Sequence, residues 1–157
     1  MTSEYKPLVS KEFDDVYFSR QDGLAETRHV FLNGNGLPEN WADKNDIVIG
    51  ELGFGTGLNF LATWALFEQT RKPGQSLHFI SVEKFPLTSK EINAALLPWT
   101  DELSPYLEDL VKTYPANAVD HFEHRFSDHV SLIVFFEDVE GALSKCWPAL
   151  VDFWYLD

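Results

Sequence analysis

The sequence predicts an α/β fold built on a parallel sheet, and two observations lead there. Short apolar runs alternate with helix-like segments along the chain, and one run passes directly into three glycines at alternate positions. That run is Ile47-Val48-Ile49-Gly50-Glu51-Leu52-Gly53-Phe54-Gly55-Thr56-Gly57-Leu58-Asn59-Phe60-Leu61. A strand, a glycine loop and a helix start, in that order, suit a nucleotide-like cofactor. Glycines let the main chain turn tightly and approach a ligand, and the helix start offers free N–H groups. An ordinary β–α turn is the plainer alternative.

The elements follow in order. Residues 1–22 form a polar lead-in with a strand candidate at Asp15-Val16-Tyr17-Phe18-Ser19, residues 24–33 have helical character, and Asn33-Gly34-Asn35-Gly36-Leu37-Pro38 is a loop. The first core strand covers about 46–52, and the helix after it about 57–70, broken by Lys72-Pro73-Gly74. Leu77 to Glu83 is the second strand; Ser89–Leu97 and Asp101–Thr113 are helices, parted by Pro98 and closed by Pro115. His121–Phe126 and Ser131–Phe136 read as strands, 139–146 as a short helix and 151–157 as a last strand. The expected division is an N-terminal extension, 1–45, and an α/β domain, 46–157.

Composition narrows the class. With 157 residues, 45% hydrophobic and 24% charged, the chain is one globular domain's worth of sequence. No run approaches the roughly 20 apolar residues that span a bilayer, and no signal pattern opens the chain. The single cysteine, Cys146, excludes an internal disulfide, fits a reducing cytoplasm, and reads as a packed small side chain. His121, His124 and His129 have no cysteine beside them, and strand alternation sets His121 and His124 on opposite faces, so no metal site is expected. A net charge of −13 argues against this chain alone gripping a nucleic-acid backbone.

Ligands of open α/β sheets bind at the carboxyl ends of the strands. The second strand ends at Glu83-Lys84, where the carboxylate is either a ribose acceptor or a solvated strand-end glutamate. Asp138, after Phe135-Phe136-Glu137, is either an acceptor for an adenine amine or the N-cap of the next helix. The final strand ends at Asp157. The dinucleotide fingerprint is G-x-G-x-x-G, whereas this loop is Glu51-x-Gly53-x-Gly55-x-Gly57. It resembles the first motif of class I S-adenosylmethionine methyltransferases. That cofactor has no phosphate, and a carboxylate complements its sulfonium and amino group. A nicotinamide oxidoreductase is a rival that the glycine spacing disfavours, and a non-catalytic binding remnant or interaction module is another.

Longer segments carry a more specific resemblance. Phe13-Asp14-Asp15-Val16-Tyr17-Phe18-Ser19, Gly23-Leu24-Ala25-Glu26-Thr27-Arg28-His29-Val30-Phe31-Leu32, the glycine loop through Leu61, and His78-Phe79-Ile80-Ser81-Val82-Glu83-Lys84-Phe85-Pro86-Leu87-Thr88 resemble one family. It is the methyltransferase half of the MnmC family, the bifunctional tRNA 5-methylaminomethyl-2-thiouridine biosynthesis proteins. The likeness covers nearly the whole chain and is least distinctive over 98–133. It implies a partial Rossmann-like methyltransferase domain over 46–157, and methyl transfer from S-adenosyl-L-methionine to the aminomethyl group of a modified wobble uridine in tRNA. Cofactor binding is then expected at Glu51, Gly53, Gly55, Thr56, Gly57, Asn59, Glu83, Lys84 and Asp138. Asp157, after Tyr155-Leu156, is implied as the active-site carboxylate that orients the substrate amine and takes its proton.

The resemblance also implies departures. The family pattern continues beyond the Asp157 strand, so the chain is expected to be a fragment with an incomplete sheet, binding cofactor but impaired in catalysis. Trp147, Phe153, Trp154 and Tyr155 are expected to be core residues, some of them left bare. The family's flavin half has no counterpart here, so no FAD is expected. The 12 basic positions, among them Arg20, Arg28, Lys84 and Lys90, are scattered among 25 acids, which leaves the tRNA surface expected largely elsewhere. Glu26 and Arg28 either reach the active site or pair at the surface.

Overall fold

The computed structural model describes residues 20–156, with side chains from Gly23 onward. The expected strand at Asp15–Ser19 and the expected catalytic Asp157 lie outside the described residues. Helix α1 (Arg20–Thr27) continues through a π-type turn at Arg28–Leu32 and short 3-10 turns at Asn33–Asn35 and Glu39–Trp41. Glu26 and Arg28 are both exposed there. Leu24, Leu32, Leu37 and Trp41 of this stretch are buried in the main core.

Strand β1 (Asp46–Leu52) occupies its predicted span, and α2 (Leu58–Thr70) follows the glycine loop. Then come β2 (Ser76–Val82), α3 (Ser89–Ala95), a 3-10 turn at Leu97–Trp99, α4 (Thr100–Leu103) and α5 (Tyr106–Thr113). The single helix expected over 101–113 is therefore two, because Pro105 has no N–H to continue the first. The chain closes with β3 (His121–Arg125), β4 (Val130–Phe135), α6 (Val139–Leu143), a 3-10 turn at Trp147–Leu150 and β5 (Phe153–Tyr155).

The five strands form one sheet in the order β3-β4-β2-β1-β5. β1, β2, β4 and β5 are parallel, and only β3 runs antiparallel, to β4. The sheet is mostly parallel, as expected, with one antiparallel strand at that edge. Between β3 and β4 there is only a short link, too short for the crossover that a parallel pair requires.

Alternation along the strands divides the core. Ile47, Ile49, Leu77, Phe79, Leu132 and Val134 join the large cluster with Phe60, Leu61 and Phe67 of α2 and Leu107 and Leu110 of α5. Ile80 and Val82 face the other way, against Ala142 of α6 and Trp147. Trp147 and Tyr155 are buried, whereas Phe153 and Trp154 are only half-buried. Gly50 is required by this second face, since a Cβ there would meet the Trp154 ring and Val151, each at 2.8 Å. Cys146 is exposed, against the expectation of a packed side chain. It lies in the turn between α6 and the 3-10 turn at Trp147–Leu150, where only Trp147 is turned inward.

Polar groups hold the strand starts in place, Gln75 from a buried position and Asp152 from the surface. The Gln75 amide donates to the carbonyls of Trp41 at 3.0 Å and Lys44 at 2.8 Å, and its oxygen accepts the Lys72 N–H at 2.8 Å. Asp152 accepts the Val48 N–H at 2.9 Å and pairs with Lys44 at 3.0 Å, which fixes β5 beside β1.

Candidate functional site

The carboxyl ends of β1, β2 and β4 converge on the glycine loop. Gly53, Gly55 and Gly57 all have positive φ, at 103°, 56° and 83°. L-residues rarely adopt such values, which accounts for three glycines in five positions. Their surroundings differ. A Cβ on Gly53 or Gly55 would meet nothing within 4 Å, whereas one on Gly57 would lie 3.0 Å from both Leu110 and Phe54. The first two glycines border open space suited to a ligand, and the third is packed beneath α5.

The loop is tied to β2 rather than only to its own strand. Gly53 and Phe54 both donate to the Val82 carbonyl, at 3.0 and 2.8 Å. The Glu83 carboxylate accepts the Gly55 N–H at 2.8 Å through one oxygen and the Phe85 N–H at 3.0 Å through the other. Glu83 is thus fixed at the mouth of the loop. Thr56 sits at the start of α2, with its hydroxyl accepting the Leu58 N–H at 3.4 Å.

Glu51 lies deeper, at 2% exposure. Its carboxylate accepts from Ser81 at 2.7 Å and from the Asn59 amide at 2.8 Å. Asn59 therefore acts on Glu51, from the first turn of α2. Beside Glu51 in the sheet stands Tyr155, whose hydroxyl bonds Thr63 at 2.8 Å. Burial raises the Tyr155 phenol well above its ordinary value; the Thr63 bond opposes the shift and the Glu51 charge adds to it.

Two expected residues stand apart from this centre. Lys84 is exposed, its ammonium 5.5 Å from the Phe85 ring centroid. Asp138 is the N-cap of α6, accepting the Gly141 N–H at 2.7 Å through Oδ1. Of its two sequence readings, the cap is present in the fold, and the second oxygen has no described role. Next to it a cleft of about 420 Å³ opens at the end of β4, lined by Asp120, His121, Phe135, Phe136, Glu137 and Lys145.

Sequence reasoning missed Ser81, Thr63 and Tyr114. Ser81 carried a signal, being polar at an inward position of an apolar strand. Tyr114 carried none, since only the packing of α5 brings it to the loop.

An acidic loop cradle of this kind has a defined chemistry. The carboxylates of Glu51 and Glu83 make the site unfavourable for a pyrophosphate and favourable for hydroxyl and ammonium donors. No group of three or more histidine, cysteine, aspartate or glutamate residues among the described residues is arranged to hold a metal ion.

With β1 between β2 and β5 and the glycine loop at its carboxyl end, the molecule has a Rossmann-like α/β fold. The crystal structure of MNMC2 from Aquifex aeolicus matches it with a TM-score of 0.53 and 19% identity, over 78% of this chain and 36% of that one. No family model matches the chain. Among curated proteins, the tRNA 5-methylaminomethyl-2-thiouridine biosynthesis bifunctional protein MnmC of Aliivibrio fischeri is 43% identical over 95% of this chain. The protein of the same name from Aeromonas hydrophila is 46% identical, also over 95%. The chain is a homologue of the MnmC proteins over one segment, and it spans about a quarter of their length (23 and 24% in these two).

Proposed function

We propose that this chain forms the S-adenosyl-L-methionine site of a tRNA-modifying methyltransferase, acting on the aminomethyl group of a modified wobble uridine. The observation that carries the reading is the Glu83 carboxylate bonded to the Gly55 N–H. A loop N–H that would serve a phosphate in a dinucleotide site is here given to a carboxylate, with Glu51 buried behind it. A ligand bearing hydroxyls and positive charge, and no phosphate, suits that arrangement.

The residues fit such a group. Gly53 and Gly55 border open space that side chains would otherwise fill. In this reading Glu83 accepts the ribose hydroxyls, and Glu51 offsets positive charge from below the loop while Asn59 and Ser81 hold it. Thr56 and Gly57 shape the turn, Lys84 flanks it, and Asp138 offers its uncommitted oxygen to an adenine amine while still capping α6. When bound, the cofactor supplies an electrophilic methyl group on its sulfonium. Asp157, next after Leu156 beyond β5, is proposed to orient the substrate amine and receive its proton. Residues 1–45 are read as an extension to a methyltransferase domain over 46–157, and a tRNA substrate implies a cytoplasmic setting.

Titration calorimetry of the chain against S-adenosylmethionine, S-adenosylhomocysteine and NAD tests the cofactor. Saturable binding of the first two and none of NAD is expected; NAD binding alone overturns the reading. Transfer of a labelled methyl group to tRNA carrying the unmethylated aminomethyl uridine tests the reaction. A folded chain that binds neither cofactor favours an interaction module instead.

A further inference from the structure

Phe85 is the most exposed large apolar side chain among the described residues, at 75%, and it stands at the mouth of the candidate site. Its backbone N–H donates to one oxygen of Glu83 at 3.0 Å, while the other oxygen holds the Gly55 N–H at 2.8 Å. One carboxylate therefore ties this residue to the glycine loop. The chain beyond it is stiff. Pro86 follows at once, and a capping box closes the segment where α3 begins. There the Thr88 N–H donates to Glu91 at 2.9 Å and the Glu91 N–H to Thr88 at 3.1 Å. None of these bonds uses the Phe85 ring, so a polar residue would keep them all. An exposed apolar side chain is ordinary by itself. This one is set apart by its fixed backbone, its place beside the glycine loop and the charge next to it.

The Lys84 ammonium lies 5.5 Å from the centre of the Phe85 ring, and both side chains are exposed. Together they offer a flat apolar face beside a positive charge. At its ribose end, where Glu83 stands, the proposed cofactor has no phosphate and so no anion for that ammonium. A nucleotide of unpaired RNA brings both complements, a base with open faces and a phosphate. We propose that Phe85 and Lys84 form an RNA contact of this site, in which an unpaired base beside the target stacks on the Phe85 ring and Lys84 pairs with its phosphate. The inference rests on the reading of the substrate as tRNA and names residues that hold the strand beside the methyl donor. A net charge of −13 gives little general attraction for a phosphate backbone. A stacking platform with one local cation is a grip that such a chain can use.

The test uses the full chain and its Phe85→Ala, Phe85→Trp and Lys84→Gln variants. Fluorescence anisotropy follows two labelled RNAs, a hairpin with an unpaired loop and a blunt duplex, and calorimetry follows S-adenosylhomocysteine. The parent should prefer the hairpin. Phe85→Ala should lower hairpin affinity about tenfold, the scale of one base–aromatic stack, and Phe85→Trp should retain it. Lys84→Gln should flatten the slope of log affinity against log salt by about 0.7, one phosphate contact on a single strand. Phe85→Ala should match the parent in melting temperature and in affinity for S-adenosylhomocysteine, because the ring is exposed. Hairpin affinity unchanged in Phe85→Ala overturns the inference, as does a parent that binds no RNA or binds the duplex equally well. A matching loss of S-adenosylhomocysteine affinity assigns the ring to the cofactor and overturns it too. Hairpin binding through Phe85 by a chain that binds neither S-adenosylmethionine nor S-adenosylhomocysteine overturns the cofactor reading and leaves this contact standing.

Discussion

The Glu83 carboxylate accepts the Gly55 N–H at 2.8 Å, so the end of β2 closes directly onto the loop that follows β1. The bond sets the loop's shape before any ligand arrives, and it leaves acceptor capacity facing outward.

Replacing Glu83 with glutamine should therefore weaken S-adenosylmethionine binding more than it weakens the fold. The amide keeps one acceptor but loses the charge, and charge-assisted bonds contribute about 1.5–3 kcal/mol each. Calorimetry should show a loss of about a hundredfold or more in affinity, since a charged acceptor for the ribose hydroxyls is gone. Urea denaturation should move by about 1–2 kcal/mol, for the backbone acceptor that the amide no longer supplies to Gly55 or Phe85. A large stability loss with intact affinity would contradict the assignment.

The three loop glycines should separate under alanine substitution. Gly57→Ala combines positive φ with contacts of 3.0 Å to Leu110 and Phe54, so a loss of ~3 kcal/mol is expected. Gly55→Ala, at φ 56° in open space, should cost only ~1 kcal/mol. Denaturant midpoints give the order, and binding assays should reverse it, because Gly55 borders the ligand.

Thr63→Val leaves the Tyr155 hydroxyl buried without its 2.8 Å partner, beside Glu51. The expected cost is ~1–3 kcal/mol. Adding Tyr155→Phe should recover part of it, since both ends of the lost bond are then apolar. A double-mutant cycle with no coupling would rule out the bond as a contributor.

Stability should fall in alkali. The folded-state values of Tyr155 and Tyr114 lie above 10.0, the ordinary phenol value. Both are held neutral in the fold, so their contribution is complete below about pH 10 and declines as pH rises past it, by up to ~1.4 kcal/mol per pH unit for each. Unfolding free energies between about pH 9 and 11.5 should drop less steeply in Tyr155→Phe than in the parent.

Asp138→Ser tests two roles at once. Serine retains the helix cap that Asp138 gives Gly141, so stability should change by less than about 0.5 kcal/mol. The carboxylate proposed for the adenine amine is lost, so affinity should fall severalfold. Unchanged affinity would leave Asp138 a cap only.

Much of the fold was legible because its signals are local. The span of β1 and the start of α2 follow from an apolar run meeting glycines, and the end of β2 from the polar residues after Val82. The antiparallel β3 was not legible, since a strand pattern does not state its direction. Nor was the break between α4 and α5, where a helical pattern runs across Pro105. Cys146 looked like core on residue type alone and is exposed by the turn that carries it.

The sequence by itself determined the order strand, glycine loop, helix, and the acids at positions 51, 83 and 138, because backbone conformation and strand ends depend on neighbouring residues. Only the tertiary structure decided what each acid does. Glu51 turns to Ser81 and Asn59, Glu83 to Gly55, and Asp138 to its own helix, while Tyr114 arrives at the loop from α5. Those partners lie across strands or on distant helices. Their meeting depends on strand order and helix packing, set by burial of the whole apolar surface rather than by any local run of residues.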